Sequence, residues 1–382
     1  MTDRETAPDH VYVHVPFCGR RCAYCDFAIA VRREVPVRAF NDAIMAELVT
    51  RRIDPNPGLK TLYLGGGTPS KLGGDGLAAL VTSLRTQLLG LDFSTFPHSV
   101  EVTAEANPED VTRESAAAWA RAGVNRISLG VQTFDRTVLS WMHRSHGPEL
   151  VSGAVQLLRD AGIDDISLDL IFALPSGQVR DWTADLDRAL SLRPTHVSLY
   201  GLTVEPHTPL GRWRDRGVVQ EAPEERYESE FLEAHRTMVA AGFEHYEVSN
   251  FGLPGLRSRH NSSYWTGVPY LGVGPSAHGF DGRTRRWNTA AYAAWESAVG
   301  RGDDPVEGSE PIGEVEATAE GVYLGLRTTD GLTVRQNELK TVTSWVHQGW
   351  GSLDGQRLVL SAEGWLRLDA IAAALTSLRS HS

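Results

Sequence analysis

The sequence has only three cysteines among 382 residues, and all three lie between positions 18 and 25. An odd number of cysteines crowded into one short segment cannot join distant parts of a chain, so we expect no disulfide framework. A reduced compartment and a shared metal site explain this arrangement better. Cys18, Cys22 and Cys25 are therefore the candidate metal ligands.

The sequence also lacks a long apolar run and a concentration of positive charge. No uninterrupted apolar stretch reaches the roughly 18 residues of a membrane-spanning helix, and the polar N-terminal stretch MTDRETAPDH lacks the apolar segment of an export signal. The formal net charge is -11, with only short basic groups such as Arg20–Arg21 and Arg283–Arg286. Because phosphate backbones need a concentrated positive face, we expect no nucleic-acid binding. We predict a cytoplasmic protein, for which peripheral membrane contact stays open.

Short apolar or β-branched runs alternate with amphipathic stretches in the first half of the chain, a pattern typical of a parallel β/α sheet or barrel. The predicted strands are Val11–Val15, Thr61–Leu64, Ser99–Ala104, Arg126–Val131, Ile166–Phe172 and His196–Leu202. The predicted helical stripes between them are Phe40, Ile44 and Leu48; Leu77, Leu80, Val81, Leu84 and Leu88; Leu150, Ala154, Leu157 and Leu158; and Trp182, Leu186 and Leu190. Most strands end directly in Gly-rich, Pro-rich or polar segments, which should converge on one face.

The remaining chain divides into two predicted parts. A helix around Glu224–Ala240 precedes an aperiodic segment rich in His, Tyr, Trp and Gly, which we expect to pack against the barrel. A boundary is predicted within Gly302–Glu310. Beyond it, a strand Arg357–Leu360, a turn at Glu363–Gly364 and a helix Leu368–Leu378 predict a small helical or winged-helix module. The predicted division is 1–210, 211–300 and 301–382.

The cysteines follow a predicted strand with the spacing Cys-x-x-x-Cys-x-x-Cys. Thiolates suit iron–sulfur chemistry, and three of them satisfy three irons of a 4Fe-4S cube while the fourth iron stays open. An open iron can chelate the amino and carboxylate groups of S-adenosylmethionine, whose sulfonium the cluster can then cleave by electron transfer. Two alternatives remain: a zinc site with His14 as fourth ligand, and ordinary buried cysteines.

The motif YVHVPFCGRRCAYCDF resembles the cluster loop of radical S-adenosylmethionine proteins of the oxygen-independent coproporphyrinogen III oxidase type, and specifically that of the HemW-type heme chaperones. The resemblance continues through GGGTPS, EANPED, GVQTF, DLIFALPSGQ, LTVEPHTPL, YEVSNF, RHNSSYW and GVGPSAHGF. It implies an α/β fold, a partial (β/α)6 TIM-like barrel with a small C-terminal module. Phe27 stands where the oxidase loop has a further cysteine, and RHNSSYW resembles the chaperone signature, so the chaperone branch is favoured.

The resemblance also implies roles for individual residues. Tyr24 would touch the adenine of S-adenosylmethionine, Tyr12 would help place its methionine moiety, and His14 would stand close to the reacting centre. Glycines let backbone amides approach a ligand. The remaining implied cofactor residues are Gly66, Gly67 and Thr68, for the amino and carboxylate ends, and Glu105, Gln132, Arg144 and Asp169, which would line the pockets.

Each of these residues has a plainer alternative role. The motif GGGTPS taken alone is equally a tight turn, and Glu105 could cap a helix at Pro108. Asp169 could be a satisfied buried carboxylate. Arg144 could form a surface salt bridge, and Gln132 could donate a hydrogen bond inside the barrel.

Heme iron accepts a neutral imidazole, and its macrocycle favours aromatic walls with cations for the propionates. The segment RHNSSYW offers His260 as a candidate axial ligand, Tyr264 and Trp265 as walls, and Arg259 as a propionate partner. The alternative is that His260 is a structural hydrogen-bonding residue. His278 is a candidate second ligand, with His245 behind it. We expect His143 and His146 to lie in loop positions. Tyr246 and Asn250 are expected to lie in the core or to support the site.

Two functions follow from the resemblance. The first is a heme chaperone that holds a 4Fe-4S cluster, S-adenosylmethionine and heme and delivers heme to hemoproteins of the respiratory chain. The second is the coproporphyrinogen III oxidase, an enzyme of porphyrin biosynthesis that forms protoporphyrinogen IX by oxidative decarboxylation. The implied partners are heme, apo-hemoprotein recipients and a reductant protein, and a homodimer is allowed. Phe27 and RHNSSYW favour the chaperone over the enzyme.

Overall fold

The fold is built on six parallel strands joined by helices, and the computed structural model describes residues 5–90 and 99–380. The first four residues of the polar N-terminal stretch lie outside these ranges. All six predicted strands are present within a residue or two of their predicted ends. They are β1 (His10–Val15), β2 (Thr61–Gly66), β3 (Glu101–Ala106), β4 (Arg126–Gln132), β5 (Asp165–Phe172) and β6 (His196–Gly201).

Helices connect these strands on the outer face of the sheet, because parallel strands need a crossover connection. The helices up to the sixth strand are α1 (Val37–Thr50), α2 (Gly73–Leu89), α3 (Arg113–Ala122), α4 (Arg136–Trp141), α5 (Glu149–Asp160) and α6 (Trp182–Ser191). The predicted stripes of α1 and α2 are buried. The predicted apolar face of α5 wrongly includes Leu150, which is 43% exposed. The buried face of this helix consists of Val151, Ala154, Val155 and Leu158.

The aperiodic segment adds strands to both edges of the sheet. It follows α7 (Pro209–Asp215) and α8 (Glu224–Ala240), the second of which matches the prediction. It contains β7 (Glu244–Glu247), β8 (Asn250–Gly252), α9 (Arg259–Trp265) and β9 (Leu271–Val273). Strand β8 pairs antiparallel with β6, and β9 pairs parallel with β1. The order among these nine strands is β7-β8-β6-β5-β4-β3-β2-β1-β9, which is a partial barrel with an opening between its edges.

Two small antiparallel sheets follow in the C-terminal part of the described chain, and two short parallel pairs, Glu5–Thr6 with Ile53–Asp54 and Phe17–Cys18 with Ala30–Val31, lie outside the main sheet. The first contains β10 (His278–Phe280), β11 (Thr284–Asn288) and β12 (Val306–Pro311), so part of the predicted boundary segment is a paired strand. The second contains β13 (Leu332–Thr333), β14 (Gly351–Asp354) and β15 (Arg357–Leu360). The helices here are α10 (Tyr292–Gly300), α11 (Glu314–Arg327), α12 (Leu339–His347), α13 (Ala362–Trp365) and α14 (Leu368–Ser380).

The predicted turn at Glu363–Gly364 is wrong, because both residues belong to α13. The Ser361 hydroxyl accepts a hydrogen bond from the amide of Gly364 at 3.1 Å, which caps this short helix. The predicted strand and last helix are present. In residues 5–90 and 99–380, no helix combines the length and the apolar character that a membrane crossing requires. The division into three domains stays a prediction.

Candidate functional site

An inner cavity of about 470 Å³ lies at the carboxyl ends of the barrel strands. Its walls come from the loops after β1 to β6, so residues far apart in the sequence meet there. The predicted site residues that line it are Cys18, Cys22, Tyr24, Cys25, Gly66, Gly67, Thr68, Glu105, Gln132, Arg144 and Asp169. Tyr12 and His14 do not line this cavity. They line an adjoining outer cavity of about 630 Å³, which shares Asp26, Phe27, Gly66 and Glu105 with the inner one.

The cysteine loop is held by its backbone and not by its sulfur atoms. The amide of Ala30 donates to the carbonyl of Pro16 at 2.8 Å, and the amide of Arg32 donates to the carbonyl of Cys18 at 3.0 Å. Among the described residues the three cysteines are free and form no disulfide. Burial raises the pKa of the Cys18 thiol, and it raises the pKa of Cys25 to about 11. Metal binding would therefore displace protons from these thiols.

Polar partners contact two of the three sulfur atoms. The Sγ of Cys18 lies 3.3 Å from the hydroxyl of Thr68, and a guanidinium nitrogen of Arg144 lies 3.7 Å from the Sγ of Cys22. A cation beside the cavity favours the thiolate form that metals require. Within residues 5–90 and 99–380, no three His, Cys, Asp or Glu side chains are gathered tightly enough to hold a metal ion. The cluster site therefore stays a prediction that depends on the shared cavity wall and the donor chemistry.

Gly66 and Gly67 shape the loop after β2, and their amides are already engaged. Gly66 has a φ of +108°, and a Cβ there would lie 2.4 Å from the His14 ring, while a Cβ on Gly67 would lie 2.6 Å from the Pro16 backbone. The amide of Gly66 donates to Glu105 at 3.0 Å, and that of Gly67 donates to the Val15 carbonyl at 2.8 Å. The predicted role of this loop in binding a ligand stays a prediction, and a ligand would have to share or replace these amide hydrogen bonds. The glycines permit close packing.

Two half-buried carboxylates line the inner cavity. Glu105 accepts hydrogen bonds from the Tyr63 hydroxyl at 2.8 Å and from Gly66, so it does not cap the helical turn at Pro108. Burial, together with the nearby charge of Asp169, raises the pKa of Glu105 to about 7. Asp169 accepts from the hydroxyl of Ser128 at 2.9 Å, and burial raises its pKa. Both carboxylates are satisfied in the protein and still face the cavity.

Arg144 is half-buried, and its guanidinium is hydrogen-bonded within the protein. Its guanidinium donates to the side-chain oxygen of Asn107 at 2.6 Å and to the Gly130 carbonyl at 2.8 Å. Gln132 lies at the end of β4 with a φ of +70°, a strained conformation for a residue other than glycine. Together these residues form a part of the cavity wall in which Arg144 also contacts the Sγ of Cys22. Asn107 and Ser128 line this cavity without having been predicted, although EANPED, which contains Asn107, was a recognised loop.

Tyr12 and His14 form part of the outer cavity wall. The Tyr12 hydroxyl lies 3.1 Å from Nδ1 of His14, and Nε2 of His14 lies 2.9 Å from the Ala28 carbonyl. Burial lowers the pKa of His14, which favours the neutral ring. Both residues reach the boundary between the cavities at Gly66 and Glu105. Tyr12 does not reach the inner cavity, where its predicted role would place it.

The RHNSSYW segment forms α9, and its histidine is deeply buried. Nδ1 of His260 lies 2.7 Å from the Thr61 hydroxyl, and Nε2 lies 2.8 Å from the Tyr264 hydroxyl. Burial lowers the pKa of His260 to about 3. Since both ring nitrogens have partners, iron ligation would break one of these bonds. The guanidinium of Arg259 donates to the Ser99 carbonyl, and Arg259 is not among the residues that line the outer cavity, so its propionate role stays a prediction.

Other residues of the outer cavity wall do provide the predicted environment. Tyr264 and Trp265 line it together with Tyr270 and Phe280. His278 also lines it, is exposed, and stacks on Trp287 with ring centroids 5.9 Å apart. Arg285 was missed by the sequence analysis, and its guanidinium lies 2.8 Å from the carboxylate of Glu320. Exposed imidazole and aromatic walls therefore meet in one cavity.

The remaining predicted histidines lie elsewhere. His245 is buried, stacks on Phe251 with ring centroids 3.8 Å apart, and lines neither cavity. His143 packs edge-on against Trp213, and His146 is buried. As predicted, the supporting residues Tyr246 and Asn250 are buried, and the Tyr246 hydroxyl lies 2.8 Å from Nε2 of His196.

Comparison with known proteins agrees with this architecture. The signature of the Radical SAM superfamily matches residues 12–189. The solved structure of coproporphyrinogen III oxidase (HemN) from Escherichia coli superposes with a TM-score of 0.79, covering 98% of this chain and 91% of that one at 20% identity. At this identity the match shows the fold alone. The class that the fold and signature define is the Radical SAM superfamily.

Curated relatives narrow the assignment. Heme chaperone HemW from Lactococcus lactis is 33% identical over 372 residues, covering 94% of both chains. Heme chaperone HemW from Mycobacterium tuberculosis is 34% identical over 376 residues, covering 96% of this chain and 95% of the relative. A mitochondrial radical S-adenosyl methionine domain-containing protein 1 from Bos taurus is 33% identical over 394 residues, with 96% and 87% coverage. The chain belongs to the HemW family.

Proposed function

We propose that this protein is a heme chaperone that holds a 4Fe-4S cluster and S-adenosylmethionine in the inner cavity and heme in the outer cavity, and delivers the heme to hemoproteins of the respiratory chain. The observation that carries the proposal is the pair of adjoining cavities, one lined by all three cysteines and the other by aromatic rings and His278. The curated relatives that cover nearly the whole chain are named heme chaperones, which supports it. Recipients and a reductant protein would act as partners.

The donor chemistry of the inner cavity suits the cluster and its cofactor. Cys18, Cys22 and Cys25 would each bind one iron, since thiolates are the ligands that such clusters use. When bound, the cluster would supply an electron to S-adenosylmethionine. Glu105 and Asp169 would accept hydrogen bonds from the ribose hydroxyls, and Arg144 would donate to a carboxylate of the ligand.

We expect Glu105→Gln and Asp169→Asn each to weaken S-adenosylmethionine binding to the reconstituted protein by about tenfold or more, because each removes a charged acceptor. The carboxyl of Glu105 has a pKa of about 7, so affinity should rise as the pH is raised through 7 and ionises it, and Glu105→Gln should abolish that rise. Isothermal titration calorimetry measures both effects. Asp75→Asn, at an exposed position in α2, is the control. Unchanged affinity in the two cavity variants would remove them from the site.

The outer cavity has one histidine whose ring is available to iron. His278 is exposed at the cavity, whereas both ring nitrogens of His260 are engaged. We therefore assign His278 as the axial ligand in preference to His260. A neutral imidazole is required, and burial together with Arg285 lowers the pKa of His278.

The function is tested by hemin titration of the wild-type, His278→Ala and His260→Ala proteins. We expect His278→Ala to shift the Soret band and to weaken hemin binding by at least tenfold, through loss of the iron ligand. His260→Ala should leave the Soret position unchanged, because its ring does not reach the iron. A Soret shift in His260→Ala alone would reverse the assignment, and a wild-type protein that binds no hemin would reject the chaperone function.

The second candidate function is the oxygen-independent coproporphyrinogen III oxidase, which the retained inner-cavity residues favour. Phe27 weighs against it. The side chain of Phe27 is 58% exposed and lines both cavities, at the position where the oxidase loop has a cysteine. Catalytic formation of a vinyl-bearing product during anaerobic incubation with coproporphyrinogen III, reductant and S-adenosylmethionine would favour the oxidase.

A further inference from the structure

Two aromatic side chains that carry hydrogen-bond donors lie side by side at the end of α9, in the wall of the outer cavity. Tyr264 and Trp265 both line it, with ring centroids 6.4 Å apart. The indole Nε1 of Trp265 is buried and has no hydrogen-bond partner among the described residues. A buried donor without a partner costs free energy, so such a group in a cavity wall indicates a ligand that accepts from it. The guanidinium of Arg327 lies 4.1 Å from the Trp265 ring centroid and fixes the other side of the ring.

A chain of hydrogen bonds supports the Tyr264 hydroxyl from behind the cavity. The chain runs from Tyr264 to Nε2 of His260 at 2.8 Å, from Nδ1 of His260 to Thr61 at 2.7 Å, and from Thr61 to Nδ1 of His10 at 2.9 Å. Hydroxyl groups and neutral imidazoles can each donate and accept. His260 is neutral because burial lowers its pKa to about 3. Every hydrogen bond of this series can therefore form with the donated hydrogens oriented either toward His10 or toward the cavity.

The direction of the chain decides what Tyr264 offers to the cavity. When the hydrogens run toward His10, the phenol donates to His260. When they run toward the cavity, Nε2 of His260 donates to the phenol oxygen, and the phenol hydrogen is free for a ligand. The second arrangement leaves every member of the chain hydrogen-bonded and neutral. Tyr264 can thus donate to an anion without leaving a buried group unsatisfied.

We propose that Tyr264 and Trp265 form a two-donor site for a carboxylate of the ligand in the outer cavity. A carboxylate has two acceptor oxygens, one for each donor. Under the proposed function, on which this inference rests, the carboxylate is a propionate of the bound porphyrin. His260, Thr61 and His10 are positioning residues that act through Tyr264. This explains why the RHNSSYW histidine is buried behind the cavity wall while the two aromatic residues line it.

The site is tested with three probes: hemin, iron-free protoporphyrin IX, and the dimethyl ester of protoporphyrin IX. We expect Tyr264→Phe and Trp265→Phe each to weaken binding of the two free acids by about tenfold or more, since each removes a hydrogen bond to a charged group. The loss for the dimethyl ester should be much smaller, because neutral ester oxygens accept weaker hydrogen bonds. Tyr323→Phe, which removes a phenol outside the outer cavity, should bind all three probes like the wild type.

The positioning residues are tested by a conservative pair. Thr61→Val removes the hydroxyl that joins the two histidines, and Thr61→Ser keeps it. We expect Thr61→Val to weaken binding of the free acids more than of the ester, and Thr61→Ser to restore it. A purely structural role would affect acids and ester equally.

Three results would overturn the site. Equal losses for the free acids and the ester would show that the rings only pack against the ligand. A loss confined to hemin in Tyr264→Phe would make Tyr264 an iron ligand, and unchanged affinity in both aromatic variants would remove the site while leaving the proposed function intact. A wild-type protein that binds none of the three porphyrins would reject the proposed function together with the site.

Discussion

Replacing Cys18, Cys22 and Cys25 together by alanine is expected to abolish assembly of the iron–sulfur cluster. The three cysteines line the inner cavity and are the only thiols in the sequence. Without them iron has no thiolate donor, and the remaining side chains suit this cluster poorly. Iron and acid-labile sulfide per chain, measured after anaerobic reconstitution, should fall from about four each to background.

The fold should survive this triple substitution, because backbone hydrogen bonds hold the loop. The amide of Ala23 donates to the Met142 carbonyl at 3.0 Å, in addition to the contacts at Pro16 and Cys18. Circular dichroism of the metal-free proteins should therefore be unchanged. Arg21→Ala, an exposed position on the same loop, is the matched control for iron content. Retention of iron by the triple variant, or one equivalent of zinc without iron in the wild type, would contradict the cluster assignment.

The largest expected effect on stability comes from Glu47, whose carboxylate is fully buried in α1. It accepts hydrogen bonds from Asn288 at 2.7 Å, from the indole of Trp295 at 2.8 Å and from the amide of Gly274 at 2.9 Å. It also pairs with Arg51 at 3.2 Å, and the side chain of Arg51 is only 6% exposed. One carboxylate thus joins α1 to the segment that follows β9 and to α10.

Glu47→Ala should lower the free energy of unfolding by about 3–5 kcal/mol, because it leaves a buried cation and three donors without their acceptor. The midpoint of thermal unfolding should fall by several degrees. Asp42→Ala, on the same helix, removes only an exposed pair with Arg38 at 3.8 Å and should change the midpoint little. Equal midpoints for Glu47→Ala and the wild type would show that the carboxylate network does not stabilise the fold.

Local patterns were sufficient to predict the barrel and the convergence of its loops. Runs of β-branched and apolar residues predicted six strands, because a strand buried in a parallel sheet is apolar along its length. The loops after these strands were then expected to meet, since parallel strands bring their carboxyl ends to one edge. The family resemblance, and not these patterns, named Glu105, Arg144 and Asp169, which line the inner cavity although no two of them are neighbours in the sequence.

The sequence did not predict how the site residues are paired. The ring of His260 is hydrogen-bonded to Thr61, which lies 199 positions earlier in the sequence. The amide of His260 donates to Glu101, which lies 159 positions earlier. Neither partner can be identified from the RHNSSYW motif. The amides of Gly66 and Gly67 were likewise predicted to meet a ligand, but they donate to Glu105 and Val15.

By itself, the sequence determined the parallel β/α architecture, the cysteine loop and the set of loops that surround one cavity, because periodicity and spacing are local properties of a chain. Only the tertiary structure decided that there are two adjoining cavities, and that His278 lines the outer one while both ring nitrogens of His260 are engaged behind it. The physical reason is that burial and hydrogen bonding depend on which distant residues come into contact. Those contacts exist only once the sheet has assembled.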